Sequence, residues 1–213
     1  VTVRSAIPDS FSGRRLAVLI SGRGSNLQSI IDAIARRRLD ATIAVVLSNR
    51  PDAAGLARAR AAGIDAIALD PDDYPGRDAY DRAIADLLRA RNADLVCLAG
   101  YMRVVGPELL EPFRNRILNI HPSLLPAFPG LDAQRQALEY GVRISGATVH
   151  FVDSSLDGGP IILQAAVPVL DGDSVESLSA RILAEEHRIY PEAIELVLKG
   201  RWLLDGRRIV PKP

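Results

Sequence analysis

Leu16–Ala35 reads LAVLISGRGSNLQSIIDAIA. Its first five residues, Leu16–Ile20, are an unbroken apolar run, the pattern of a strand buried on both faces. Ser21–Asn26 (SGRGSN) follows. Leu27, Ile30, Ile31 and Ile34 then recur at the spacing of an amphipathic helix. Strand, glycine-rich turn and helix make the first half of a βαβ unit. The pattern repeats downstream, with strands predicted at Ala41–Ser48, Ile64–Leu69, Ala93–Ala99 and Arg116–Ile120. Helices are predicted at Asp52–Ala62, Arg77–Arg91 and Pro107–Phe113. Alternation with short links predicts an α/β fold with a mostly parallel, twisted sheet flanked by helices.

Beyond residue 130 the character changes. Asp132–Tyr140 reads as a short helix with Asp132 as N-cap and Gly141 at its end. Gly146–Val152 alternates like a half-buried strand, and Ile161–Val169 is its antiparallel partner, an extension of the sheet in the C-terminal half. Ser174 caps a long helix to Leu198, and Arg201–Val210 reads as a hairpin around Asp205–Gly206. Residues 1–15, with Pro8 and Gly13, read as a flexible leader. Residues 16–213 read as one domain with an N-terminal lobe to about 115 and a C-terminal lobe from about 116.

The 213 residues carry 26 Lys and Arg against 26 Asp and Glu. That balance offers no electrostatic case for nucleic acid or an anionic membrane. Arg36–Arg38 reads as a solvated helix end. Cys97, the single cysteine, excludes intrachain disulfides and lies in an apolar run, as a small buried hydrophobe does. No stretch resembles a signal peptide or a membrane span, so the expected location is cytoplasmic.

Three short segments can carry chemistry. In Ser21–Asn26, Gly22 and Gly24 let backbone amides approach an anion at the start of the helix, while Ser25 and Asn26 add donors. A plain strand-to-helix turn has the same look. Asn119 and His121 stand two apart in a strand and so share a face. An amide and an imidazole there could stabilise an oxyanion, or could be a satisfied polar pair at a strand end. Asp157, in Leu156–Pro160 (LDGGP), either makes an ordinary Asx turn or pairs with His121, orienting the ring and keeping it protonated. His150, in an apolar strand, reads as structural. Glu185–His187 reads either as a solvated face or as a carboxylate offered to a substrate. The histidines lack metal-ligand spacing, so no metal is expected.

Taken together and in order, LAVLISGRGSNLQSIIDA, DLVCLAGYMRVV, ILNIHPSLLPAFPG, VHFVDSSLDGGPIILQ and EEHRIYPEAI closely resemble the phosphoribosylglycinamide formyltransferase family of folate-dependent enzymes. The resemblance runs from about Leu16 to Arg201. It implies a Rossmann-like formyltransferase fold and transfer of a formyl group from 10-formyltetrahydrofolate, the co-substrate, to the amine of glycinamide ribonucleotide. By resemblance Gly24, Ser25 and Asn26 hold the ribonucleotide phosphate, and Leu183, Ala184, Glu185 and Glu186 contact the same substrate. Met102, Arg103, Val104 and Val105 line the folate pocket, which Asn119 also borders. Asp153, Ser154, Ser155, Leu156 and Asp157 close over the pterin, and Arg77 sits near the folate's far end. Asn119, His121 and Asp157 match the catalytic three. Asp132 and Gln134 stand where many relatives carry histidine. The implied partners are small molecules, in a monomer or homodimer.

Two other readings are open to the sequence. A deformylase of the same group would use water in place of the amine; such enzymes usually carry an extra N-terminal domain, for which there is no room here. A non-catalytic binder of a phosphorylated metabolite would keep the glycine-rich turn alone.

Overall fold

The computed structural model describes Arg4–Ser5, Phe11 and residues 13–212. A seven-stranded sheet runs through the centre in the order β4-β3-β2-β5-β6-β7-β8. Its strands are β2 (Arg15–Ile20), β3 (Thr42–Ser48), β4 (Ala66–Ala68), β5 (Leu95–Leu98), β6 (Ile117–His121), β7 (Ile144–Phe151) and β8 (Ile161–Pro168). The first five are parallel, and β7 and β8 add an antiparallel edge. A smaller antiparallel sheet joins β1 (Arg4–Ser5), β9 (Trp202–Asp205) and β10 (Arg208–Pro211), the last two forming the expected hairpin.

Two apolar layers cover the large sheet. Leu16, Val18 and Ile20 of β2 face one layer, with α1 (Ser25–Ala35), α2 (Ala54–Ala61), α5 (Ala133–Tyr140) and α6 (Val175–Leu198). Ala17 and Leu19 face the other, with α3 (Arg77–Ala90) and α4 (Pro107–Leu110). That two-sided burial is why β2 reads as a continuous apolar run. Tyr190 of α6 is fully buried, and its hydroxyl donates to the Leu98 carbonyl at 2.9 Å, with the Leu118 carbonyl at 3.2 Å. Tyr190→Phe should therefore lower unfolding free energy by about 1 kcal/mol in urea titrations, with the m-value unchanged.

Parts of the sequence reading need correction. Arg4–Ser5 pairs with β9, so the expected leader is not loose throughout. Phe11 is buried, Arg14 pairs with Glu195 at 2.8 Å, and the Gly13 and Arg15 amides both donate to Asp94. The rest of that leader lies outside the described residues. Asp132 holds the N-cap position of α5 in a left-handed conformation, φ 55°, with no side-chain cap bond. All of β7 after Ile144 is buried rather than alternating. Helix α6 covers one face, and the segment after β6 covers the other: Thr148 Oγ1 donates to Ser123 O and accepts from Leu125 N. Ser174 caps α6 as expected, in a reciprocal box with Ser177.

The order of the sheet places the ends of β2 and β5 side by side. Here the chain leaves β2 for one side of the sheet and later returns through β5 on the other. Open α/β sheets bind ligands in the crevice beyond such a point. Among the described residues, no helix is long and apolar enough to cross a membrane.

Candidate active site

At the end of β6, Asn119 and His121 point to one face, and the loop 153–157 brings Asp157 over them. His121 Nδ1 is 3.4 Å from Asp157 Oδ2, and Asn119 Nδ2 is 3.5 Å from Asp157 Oδ1. The backbone of Asp157 is left-handed, φ 49°, and the Gly130 amide donates to its Oδ2 at 2.8 Å. Asp157 is thus fixed from two loops, the turn before β8 and the proline-rich segment after β6. The three residues expected to meet do meet.

His121 is 5% exposed, and its Nε2 lies 2.8 Å from the Phe128 carbonyl. A carbonyl only accepts, so Nε2 carries the hydrogen of that bond. Both ring nitrogens therefore face acceptors, Phe128 O and Asp157. A ligand oxygen that bonds this ring must displace one of them, and the Asp157 contact is the longer.

His150 was expected to be structural, yet it belongs to this cluster. The antiparallel register sets it directly opposite Asn119. Its Nδ1 donates to Phe151 O at 2.8 Å, so in the neutral ring Nε2 accepts from Asn119 Nδ2 at 3.2 Å. Burial holds the His150 pKa below that of an ordinary histidine, against the Phe151 hydrogen bond and the nearby Asp157, and so favours this neutral acceptor. His150 takes one of the two Asn119 amide hydrogens and leaves the other for Asp157 or a ligand.

The turn after β2 supplies the second part. Gly24 is left-handed, φ 71°, and caps α1, where Ser25 and Asn26 begin the helix. Arg58 Nε donates to Arg23 O at 2.8 Å, so a cation lies behind the turn. Beside it runs a groove of about 440 Å³ lined by Ser25, Gln28, Arg36, Arg58 and Arg188, among others. Asn26 is buried and its amide donates to Glu186 Oε2 at 2.8 Å, across 160 residues of sequence. Leu183 and Glu185 are half-buried and Ala184 is exposed on the same helix.

The segment after β5 completes the crevice. Met102 N donates to Ser21 Oγ at 2.8 Å, which ties this segment to the end of β2. Met102 and Val104 are exposed, Val105 is buried, and Arg103 lies half-buried over the Tyr80 ring. Arg77 stands exposed at the start of α3. In the 153–157 loop, Asp153 Oδ1 accepts from the Ser155 amide at 2.8 Å, an Asx turn, while Ser154 and Leu156 are exposed. A larger groove of about 660 Å³, bordered by Trp202, Ile209 and Pro191, shares Arg188 with the groove beside the turn and contains none of the residues of segments 102–105 and 153–157.

A family profile described as Formyl transferase matches residues 14–194. The chain belongs to the formyl transferase family. It is 47% identical over 205 residues to the phosphoribosylglycinamide formyltransferase of Escherichia coli (strain K12), covering 92% of this chain and 96% of the relative. The protein of that name from Bacillus subtilis (strain 168) is 42% identical, with 87% and 95% covered. The crystal structure of glycinamide ribonucleotide transformylase 1 from Symbiobacterium toebii superposes with a TM-score of 0.92 at 62% identity, covering 93% of this chain and 94% of that one. Within the formyl transferase family the chain groups with the phosphoribosylglycinamide formyltransferases of de novo purine biosynthesis, and its sheet is the formyltransferase fold.

Glu186 has an unusual setting for a carboxylate, 7% exposed on α6. Burial raises its pKa above the ordinary glutamate value, and the Asn26 amide offsets this only in part. A carboxyl that holds its proton more tightly folded than unfolded supports the fold at low pH. That support is lost as pH rises from the unfolded value through the folded one. Glu186→Gln keeps an acceptor for Asn26 and removes the titration. The variant's melting temperature, relative to the parent's, should therefore rise between about pH 4 and about pH 8 in calorimetric scans. A flat or falling difference would contradict the buried, proton-retaining carboxyl.

Proposed function

We propose that the formyl group comes from 10-formyltetrahydrofolate and passes to the amine of glycinamide ribonucleotide at the cluster of Asn119, His121 and Asp157. The observation that carries this reading is the convergence of an amide, an imidazole and a carboxylate at the end of β6, the first two each within 3.5 Å of the third. The neutral amine attacks the formyl carbon, and a new N–C bond forms. Charge grows on the formyl oxygen, where the free Asn119 hydrogen and the His121 Nδ1–H meet it. Asp157, fixed by Gly130 N, keeps its negative charge beside the His121 ring, and the proton passes from the attacking amine to the departing folate nitrogen. The old C–N bond then breaks. No covalent enzyme intermediate is needed.

The two substrates enter from opposite sides of the cluster. Gly24, Ser25 and Asn26 hold the ribonucleotide phosphate at the positive end of α1. Glu186 accepts from a ribose hydroxyl, and Leu183, Ala184 and Glu185 flank it. Met102, Arg103, Val104 and Val105 line the folate site, Asp153, Ser154, Ser155, Leu156 and Asp157 cover the pterin, and Arg77 reaches the donor's tail. The reaction takes place in the cytoplasm.

An absorbance assay with purified protein, 10-formyl-5,8-dideazafolate and glycinamide ribonucleotide tests this. Folate product that appears only with the ribonucleotide is the expected result. Product without it would instead indicate a deformylase. No product from folded protein would remove the catalytic roles assigned above.

A further inference from the structure

Asp81 lies four residues after Arg77, one turn into α3. It is an acid on a helix whose neighbours Tyr80, Ile84 and Leu88 are buried, and its own side chain is only 5% exposed. A carboxylate at that depth needs partners. One is close: the Gly106 amide donates to Asp81 Oδ2 at 2.6 Å. Arg77 Nε lies 3.9 Å from the same oxygen. The second cation is Arg103, whose guanidinium stacks 5.1 Å from the centroid of the Tyr80 ring. Burial pushes the Asp81 carboxyl up, and the Gly106 amide, Arg77 and Arg103 pull it back down. Gly106 is pressed into this pair: a Cβ there would come within 2.7 Å of Arg77 Nε, Arg77 Nη2 and Asp81 Oδ2. Glycine lets the backbone approach these side chains without displacing them.

One buried carboxylate thus faces both arginines of the donor site. The same carboxylate tethers the backbone at the end of the segment that carries Met102–Val105. We propose that Asp81 is a positioning residue for the formyl donor: it pins that segment to α3 through Gly106 and keeps Arg77 and Arg103 aimed at the carboxylates of the donor's tail. The proposal rests on reading Arg77 and Met102–Val105 as donor-binding. Without Asp81 the two cations repel each other and the segment loses its tether. Asp81 touches no reacting atom, so its effect belongs to donor binding and not to the chemical step.

Asp81→Asn and Gly106→Ala test this by separate routes. The first keeps the shape and removes the charge; the second keeps the charge and pushes the Arg77 and Asp81 side chains off Gly106. Both should raise the donor KM about tenfold, the loss of one hydrogen bond to a charged group, while kcat and the ribonucleotide KM stay within about twofold. The Kd of 10-formyl-5,8-dideazafolate, titrated calorimetrically, should rise in parallel. A folded Asp81→Asn protein with an unchanged donor KM would overturn the proposal. So would a joint loss of kcat and of both KM values, the mark of general structural damage. If Gly106→Ala does not fold, Asp81→Asn decides alone. Failure of the analogue to bind the parent protein would overturn the donor assignment instead. Deuterium exchange then tests the tether itself: faster exchange at Gly106 in Asp81→Asn supports it, and unchanged exchange refutes it.

Discussion

His121→Ala lowers kcat by about 10²–10³-fold and leaves both KM values within a few-fold. The reasoning starts from the ring's contacts. His121 is 5% exposed and sits between Phe128 O at 2.8 Å and Asp157 Oδ2 at 3.4 Å. Both partners only accept, so each nitrogen serves as a donor when both contacts are made. In the ground state the formyl oxygen is nearly neutral and competes poorly for that hydrogen. As the amine attacks, the oxygen gains charge and the Nδ1–H is drawn toward it. The interaction is therefore made mostly in the transition state, and its loss falls on kcat rather than on KM. Alanine leaves a gap and no clash, and Asn119 remains, so some activity survives. Asn119→Ala should cost a similar factor. The double variant should lose less than the product of the two, because both donors serve one oxygen. Single-turnover rates at saturating substrates, with melting temperatures as a control for the buried site, make the measurement. Near-normal turnover in His121→Ala would take the residue out of the chemistry.

How far the sequence shows all this depends on whether a residue's partners are local. Leu16–Ala35 is legible because both faces of β2 are buried and because the periodicity of α1 lies within the segment itself. Asn119 and His121 share a face by strand geometry alone, so their pairing is also local. His150 is different. Its polarity in an apolar strand says only that something must satisfy it. The partner is Asn119, set opposite by the β6–β7 register, and no stretch of β7 states that register. Thr148 is a parallel case: the alternating pattern names no partner for it, and the segment after β6 folds back and bonds it. Asp157 could be read as an Asx turn or as a partner of His121; its backbone is turn-like, it lies beside His121, and its carboxylate is fixed by Gly130 from another loop. Glu186 could be read as solvated or as offered to a substrate, and only the fold shows it buried against Asn26. Asp81 had no signal at all. It looks like one more helix acid until Gly106 is seen to rest on it.

Gly24→Ala lowers kcat/KM for the ribonucleotide by about a hundredfold, nearly all of it in KM. Gly24 has φ 71°, in the left-handed region, where an L side chain costs about 1–2 kcal/mol. Space forbids it as well. A Cβ would stand 2.7 Å from the Gly55 Cα, which is backbone and cannot swing aside. Gly55 is itself locked, since its amide donates to Gly22 O at 2.9 Å. The turn must open, and the first amides of α1 move with it. A phosphate held there loses aligned N–H donors, each charge-assisted bond being worth about 1.5–3 kcal/mol. Two such units account for the hundredfold loss at roughly 1.4 kcal/mol per decade. The chemistry at the end of β6 is untouched, so kcat at saturation should stay within about threefold of the parent. Inorganic phosphate, used as a competitive inhibitor, should weaken in step with the ribonucleotide. A fall in kcat with an unchanged ribonucleotide KM would put the phosphate elsewhere, with the neighbouring basic groove of Arg36 and Arg58 the next place to look. The contrast with His121→Ala is the stronger test. The proposed phosphate site lies at the end of β2 and the proposed chemistry at the end of β6, with β5 between them in the sheet. The two substitutions should therefore divide cleanly between KM and kcat and combine additively.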